Sequence, residues 1–365
     1  MEVINLKTSQ ISEAFTMNGG DGRYCYANNS TIQRSGIESS KAMIEQEIEE
    51  KLDIEKLPNT NTFRIVDLGC SVGPNTLIAV QNIIKAVDLK FKSQAISVPE
   101  FHVFFNDHSS NDFNTLFGSL PEGRGYFAAG VPGSFYTRLF PRASIHFVHS
   151  STALQWLSEV PKGVVDIHSP AWNKGRIHYA NAPNEVKEAY SAQFAKDMEN
   201  FLRARAQELV CGGLMVILVL GVPNGTLPTQ SVPCLLQHLL GSCLMDMVKM
   251  GIIDEAKVDE FNLPLYFPSP QEIEAVVEKD RCFSIERVEV MRRPDCNAKV
   301  YSNTIRAIME PGTKQHFGSD EIIDELFHRF TNKIVDSPSI LKSGTNNLLF
   351  FLLKRNGVNV SADTY

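Results

Sequence analysis

Residues 65–75 read Ile65-Val66-Asp67-Leu68-Gly69-Cys70-Ser71-Val72-Gly73-Pro74-Asn75. An apolar run ends in an acid, crosses two glycines four positions apart and enters a helix. Glycine at such a turn lets backbone approach a ligand that a side chain would exclude. The segment that follows, residues 76–92, carries Leu77, Val80, Ile83, Ile84 and Val87 at helical spacing. Strand, glycine turn and helix form one unit of an α/β fold.

Further runs of β type lie at Phe63–Leu68, Glu100–Asn106, Tyr126–Ala129, Ile145–His149, Leu214–Leu220, Phe283–Met291 and Leu348–Lys354. Several are apolar nearly throughout, as strands covered on both faces are. Pro183 to Val210 reads as one long amphipathic helix stopped by Cys211-Gly212-Gly213. The alternation predicts a doubly wound parallel sheet. Residues 152–180 and roughly 225–345 break it with helical and loop-like sequence. Insertions at the strand C-termini roof a ligand site in such folds. The division expected is therefore a sheet domain (1–151, 181–224, 280–291 and 346–365, with an N-terminal lid segment) and a helical substrate cap (152–180, 225–279 and 292–345).

The 365 residues are 43% hydrophobic and 21% charged, with a formal net charge of −7. That composition is ordinary for a globular protein with a sizeable core. No Lys/Arg run exists beyond pairs such as Arg292-Arg293, which argues against a nucleic-acid partner. Seven cysteines (Cys25, Cys70, Cys211, Cys234, Cys243, Cys282 and Cys296) show neither metal nor disulfide spacing. The N-terminus lacks the basic start and apolar core of a secretory signal. Leu214 to Val222, the most apolar stretch, is about half a membrane span. These features read as a cytosolic protein with no membrane partner.

The turn also selects its ligand. A dinucleotide fold uses G-x-G-x-x-G with a helix N-terminus facing pyrophosphate. Here the glycine triplet is absent, and Asp67 would repel an anionic pyrophosphate while accepting a bond from an ammonium group. Asp107 ends the next strand, forty residues further on rather than the roughly 20 of dinucleotide folds. A carboxylate there can take two ribose hydroxyls; the competing role, capping the next helix, suits Asp112 better. The pattern favours S-adenosylmethionine over a nicotinamide dinucleotide.

With Tyr26-Ala27-Asn28-Asn29-Ser30, DLGCSVGPNT at 67–76, FFNDHSSNDFN at 104–114, GVPGSFYTRLFP at 130–141 and HSSTALQWLSEVP at 149–161, the chain resembles the plant SABATH methyltransferases. That family includes salicylate, benzoate, jasmonate, loganate, indole-acetate and gibberellin carboxyl methyltransferases and the xanthine N-methyltransferases. The resemblance runs from Met17 through Asn-Lys-Gly at 173–175 and FNLPLYFPS at 261–269 to the last strand. The wording is nearest to the loganate branch. It implies a Rossmann-like class I methyltransferase sheet with a helical cap over the active site. It also places Tyr26, Ser30, Asp67 and Asn75 around the methionine part of the cofactor, with Gly69 of the turn among the cofactor-binding residues, Asp107 on the ribose, and Ser134 and Phe135 at the adenine. His108 departs from the leucine common beside the ribose acid and reads as a polar substitute at the adenine edge.

The resemblance further implies that Gln33 and Trp156 hold the acceptor's carboxylate, a sound pairing because an amide and an indole N–H are both donors. No residue is assigned as catalytic, since a carboxylic acid with a pKa of roughly 4 arrives ionised. The matching pocket positions are Thr152, Gln155, Gln237, Tyr266, Ile305 and Thr345. Salicylate-type members hold a tyrosine, a methionine and a tryptophan at the first three, so this pocket reads as roomier and more polar. Asn173, Asp259, the Phe261 carbonyl and Asn262 match a Mg²⁺ position of some members. The function expected is carboxyl O-methylation of a small plant-type acid, terpenoid-like or otherwise oxygenated, by a homodimer. N-methylation of a xanthine-like heterocycle is the same-fold alternative, and a non-catalytic small-molecule receptor the different-class one.

Overall fold

A computed structural model describes residues 15–57 and 61–357. The reading of the N-terminal start, on residues 1–14, lies outside them. All seven expected strands form: β1 (Thr62–Leu68), β2 (Glu100–Asp107), β3 (Phe127–Pro132), β4 (Ile145–Ser151), β5 (Leu209–Gly221), β6 (Phe283–Arg292) and β7 (Asn347–Arg355). They make one sheet in the order β3-β2-β1-β4-β5-β7-β6. Neighbours from β3 to β5 pair in parallel, whereas β7 runs antiparallel to both β5 and β6. The sheet is therefore mixed, not wholly parallel as expected.

The helices are α1 (Tyr26–Asn29), α2 (Thr31–Lys51), α3 (Pro74–Ser93), α4 (Phe113–Gly118), α5 (Asn184–Glu208), α6 (Val232–Lys249), α7 (Glu255–Glu260), α8 (Pro270–Asp280), α9 (Ala298–Phe317), α10 (Asp320–Asp336) and α11 (Pro338–Ser343). Helix α5 stops three residues before Cys211. Gly212 and Gly213 lie instead inside β5, where the register with β4 shifts between Ile145 and Phe147. That glycine pair permits a bulge and does not terminate a helix.

Two apolar cores flank the sheet. Leu214, Val216 and Leu218 face one, with Ile44 and Ile48 of α2 and Val80, Ile83 and Val87 of α3. Met215, Ile217 and Val219 face the other, with Tyr190, Phe194 and Phe201 of α5. Alternate residues of β5 thus serve opposite cores, which is why the strand is apolar throughout. The second core continues into the cap through Leu236, Leu240 and Leu244 of α6 and Phe327 and Phe330 of α10. The cap shares its packing with the sheet, and both close over the C-terminal ends of β1, β2 and β4. Among the described residues no helix is long and apolar enough to cross a membrane, and all seven cysteines are free thiols.

Candidate active site

The glycine turn leaves β1 at Gly69, whose φ is +79°. A Cβ there would lie 2.4 Å from the Ala153 Cβ, so both conformation and space demand glycine. The Gly69 and Cys70 N–H groups donate to the Asn106 carbonyl at 2.9 and 3.0 Å. The Asn106 amide in turn donates to the carbonyls of Val131 (2.7 Å) and Gly133 (2.9 Å). One fully buried asparagine, which sequence reading passed over, thereby ties the ends of three strands together.

Ser71 takes a left-handed φ of +51°, and its N–H donates to Asp107 Oδ2 at 2.7 Å. The His108 N–H donates to Asp107 Oδ1 at 2.8 Å. Burial pushes the Asp107 carboxyl above its ordinary range, and these two donors pull against that shift. Each oxygen keeps a lone pair for a further donor, the requirement for gripping a vicinal diol. Asp112 caps α4 by accepting from the Thr115 N–H at 3.0 Å, which leaves Asp107 free of that task.

Asp67 is placed differently. It is buried, with His149 Nδ1 2.7 Å from Oδ1 and the Thr76 hydroxyl donating to Oδ2. It stands behind the turn and off the cavity wall. The two acids expected to bracket one ligand are thus divided: Asp107 faces the cavity, while Asp67 braces β1 against β4 and α3.

The cavity holds about 350 Å³ and brings together most of the residues singled out from sequence. Tyr26, Gly69, Asp107, His108 and Phe135 line it at the strand ends; Gln33, Thr152, Gln155, Trp156, Gln237 and Ile305 line it under the cap. Burial, with Asp107 nearby, raises the Tyr26 phenol well above its usual value. Ser30 and Asn75 lie behind the wall, where the Asn75 amide donates to Ser30 Oγ (2.9 Å) and O (3.1 Å) and accepts from Arg34 Nε (3.2 Å). They pin α2 onto the start of α3. Ser134 is off the wall too, in a turn with Thr137, while its neighbour Phe135 faces the cavity. Arg205 holds that loop by donating to the carbonyls of Phe135 and Thr137, both at 2.9 Å.

Two acceptor positions need correction. The Tyr266 hydroxyl donates to Glu272 at 2.5 Å, and its ring packs on Tyr179 and Phe194. Leu265 and Phe267 face the cavity instead, because the segment is extended and pairs Leu265 with Trp156. Thr345 pairs with Ser231, its hydroxyl on the Gln230 carbonyl at 3.2 Å, and Asn346 takes the wall.

Trp156 stacks on Phe15 with ring centroids 5.5 Å apart, and its indole N–H has no partner among the described residues. Thr152, at the end of β4, has a φ of +52°, an uncommon conformation for a β-branched residue. The oxygens of Gln33, Gln155, Gln237 and Asn346, all on wall side chains, also lack partners among the described residues. Wall residues that sequence reading missed include Ser71, Asn111, Arg293 and Tyr301. Asn111 is legible in hindsight, since its amide donates to the Ser71 carbonyl of the motif turn at 3.2 Å.

The residues matched to Mg²⁺ come together without making a fitting cation site. Asn173 donates to Asn262 Oδ1 at 2.8 Å, and Asp259 Oδ1 accepts the Gly175 N–H at 2.7 Å. Asn173 Oδ1 is unsatisfied, yet the single carboxylate and the Asn262 oxygen are already engaged. Mg²⁺ takes six oxygens, several of them from water, around one or two free carboxylates, and the one carboxylate here already holds a backbone N–H. No group of three or more His, Cys, Asp or Glu suited to a metal exists among the described residues.

A family model described as SAM dependent carboxyl methyltransferase matches residues 12–356. Loganic acid O-methyltransferase of Catharanthus roseus is 49% identical over 355 residues, covering 94% of this chain and 95% of that one. A Petunia hybrida benzoic acid/salicylic acid carboxyl methyltransferase is 40% identical over 367 residues, with 95% and 100% covered. A solved loganic acid methyltransferase with SAH superposes with a TM-score of 0.91 at 49% identity, covering 93% of this chain and 99% of its own. Matches of that length, on a fold whose glycine turn and Asp107 open into one cavity, make the chain a member of the SAM dependent carboxyl methyltransferase family.

Proposed function

We propose that the enzyme makes the methyl ester of a small plant acid that bears hydroxyl or other oxygen groups beyond its carboxylate. The observation that carries this reading is the wall itself: Gln33, Gln155, Gln237 and Asn346 each leave a buried amide oxygen unsatisfied among the described residues. Such an atom costs about 1–3 kcal/mol, and an acceptor with hydroxyl donors removes that cost. A flat apolar acid does not.

S-adenosylmethionine supplies an electrophilic methyl group when bound. The chain's part is to hold both reactants. Asp107 grips the ribose diol and Phe135 offers its ring to the purine. The Gln33 amide and the Trp156 indole N–H orient the carboxylate, and the ring of Phe15 keeps the indole in place. The acceptor is ionised at neutral pH, so no general base is required. Alignment of the reactants supplies the rate, on the order of 7–11 kcal/mol in well-oriented systems. The resemblance also supports a cytosolic homodimer, which light scattering checks.

The test is incubation with methyl-labelled cofactor and a panel of loganic, jasmonic, salicylic and benzoic acids. Alkali-labile label on an oxygenated member is expected. Label that is only alkali-stable overturns the reading in favour of N-methylation.

A further inference from the structure

Arg293 follows the last residue of β6. Its neighbour Arg292 is exposed and pairs with Asp295 at 3.5 Å, as a solvated surface pair does. Arg293 turns the other way: it is 7% exposed and lines the cavity, the only lysine or arginine on that wall among the described residues. No hydrogen bond or ion pair to its guanidinium exists among the described residues. A buried guanidinium without a counter-ion is costly, and proteins keep such groups where a ligand completes the pair. Burial draws its pKa down to about 10, which leaves it cationic at neutral pH.

Its position is set by the backbone. The Arg293 N–H donates to the Asn346 carbonyl at 2.8 Å, and the Asn346 amide donates to the Tyr301 hydroxyl at 2.9 Å. Two residues on, Leu348 packs so closely on Gly36 that a Cβ there would lie 2.6 Å away. Gly36 is one helical turn beyond Gln33 on α2, so Arg293 and Gln33 belong to one wall. Tyr26 feels both charges, its phenol raised by Asp107 and lowered by Arg293. The wall thus carries the Asp107 carboxylate at the strand ends and the Arg293 guanidinium at the β6–α9 corner, with Glu159 and Glu260 on its cap side. The first suits a sulfonium cofactor. The second suits an acid.

We propose that Arg293 is the counter-charge for the acceptor's carboxylate, a specificity-determining residue that selects acids over their neutral amides and esters. The inference rests on carboxyl methylation and deepens it. In the reaction a carboxylate oxygen gains the methyl carbon, the carbon–sulfur electron pair stays on sulfur, and no proton moves. The acceptor enters anionic and leaves as a neutral ester. Arg293 attracts only the first, so it favours substrate entry and product release together.

The experiment uses the acid from the panel that wild type methylates best, with that acid's carboxamide as a competitive inhibitor. Arg293→Met and Arg293→Gln are expected to raise KM for the acid by about 10- to 100-fold, as loss of a charged hydrogen bond does. Carboxamide affinity and S-adenosylhomocysteine affinity by calorimetry should move less than about threefold on the same scale. Arg293→Lys should recover most of the acid's affinity. The acid-to-amide ratio is measured within each variant, so it is independent of the fraction folded. An unchanged ratio overturns the role of Arg293, as does a tenfold loss of S-adenosylhomocysteine affinity, which would assign the guanidinium to the cofactor. Failure of wild type to methylate any acid overturns the function itself.

Discussion

Asp67 and Asp107 end neighbouring parallel strands, paired in the sheet through Asp67 with Phe105, and their partners separate their roles. Each Asp67 oxygen meets a side chain, His149 or Thr76, away from the cavity wall. Asp107 accepts only two backbone N–H groups and faces the cavity. Asp107→Asn should weaken S-adenosylhomocysteine by about 10- to 100-fold in calorimetry while leaving the melting temperature nearly unchanged. Asp67→Asn should do the reverse, because it disturbs the buried hydrogen bonds to His149 and Thr76, at about 1–3 kcal/mol for a buried group left unsatisfied, seen as a lower melting temperature. Equal losses of ligand affinity in both would return Asp67 to the cofactor. Trp156→Phe keeps an aromatic ring against Phe15 but removes the indole donor. Its kcat/KM for the acid should fall about tenfold or more with an unchanged melt; unaltered kinetics would remove the indole from carboxylate binding. At this scale the motif turn was legible, because glycine and acid placement is local chemistry. Which way a carboxylate points was not, since the partners of Asp67 come from β4 and α3.

Strands and helices were legible where periodicity speaks and silent where only pairing decides. All seven strands were visible as runs of β type, although Phe283–Met291 carries three charges. The direction of β7 was not: Leu348, Phe350 and Leu352 face one core, Leu349, Phe351 and Leu353 the other, and such a strand reads alike in either orientation. The extended segment at Tyr266 failed for a related reason. A shift of one residue exchanges the faces of a strand, so Leu265 and Phe267 hold the wall that was expected of Tyr266. The end of β4 carries a prediction of its own. Thr152 is held at φ +52°, with its N–H donating to the Leu218 carbonyl at 2.7 Å. A β-branched residue in that region stores on the order of 1–3 kcal/mol. Thr152→Gly should relieve the strain and raise, or at least preserve, the melting temperature, while lowering kcat/KM through loss of the wall methyl and hydroxyl. A clear drop in stability would show that contacts of the side chain outweigh the backbone term.

Across the whole molecule, the apolar cores on the two faces of the sheet trap histidines in neutral form. His146, on β4, accepts the Arg64 N–H at 3.0 Å and stacks on Phe63; burial lowers its pKa to about 4. His178, in the loop before α5, sits 3.1 Å from the Leu265 carbonyl under the cap, and burial lowers its pKa to about 3. Unfolded, both titrate near 6.5. Between pH 6.5 and 4 the unfolded chain binds more protons than the folded one at these sites, so stability rises with pH across that window. The stabilisation is complete above pH 6.5 and drains away on acidification. Each histidine contributes a slope of roughly 1.4 kcal/mol per pH unit. His146→Gln keeps an acceptor for the Arg64 N–H but cannot titrate. In urea unfolding, the stability gap between wild type and this variant should therefore narrow from pH 7 to pH 5, by roughly 2 kcal/mol. A gap that stays constant would mean that His146 titrates alike folded and unfolded, and that water reaches the start of β4 beside Phe63.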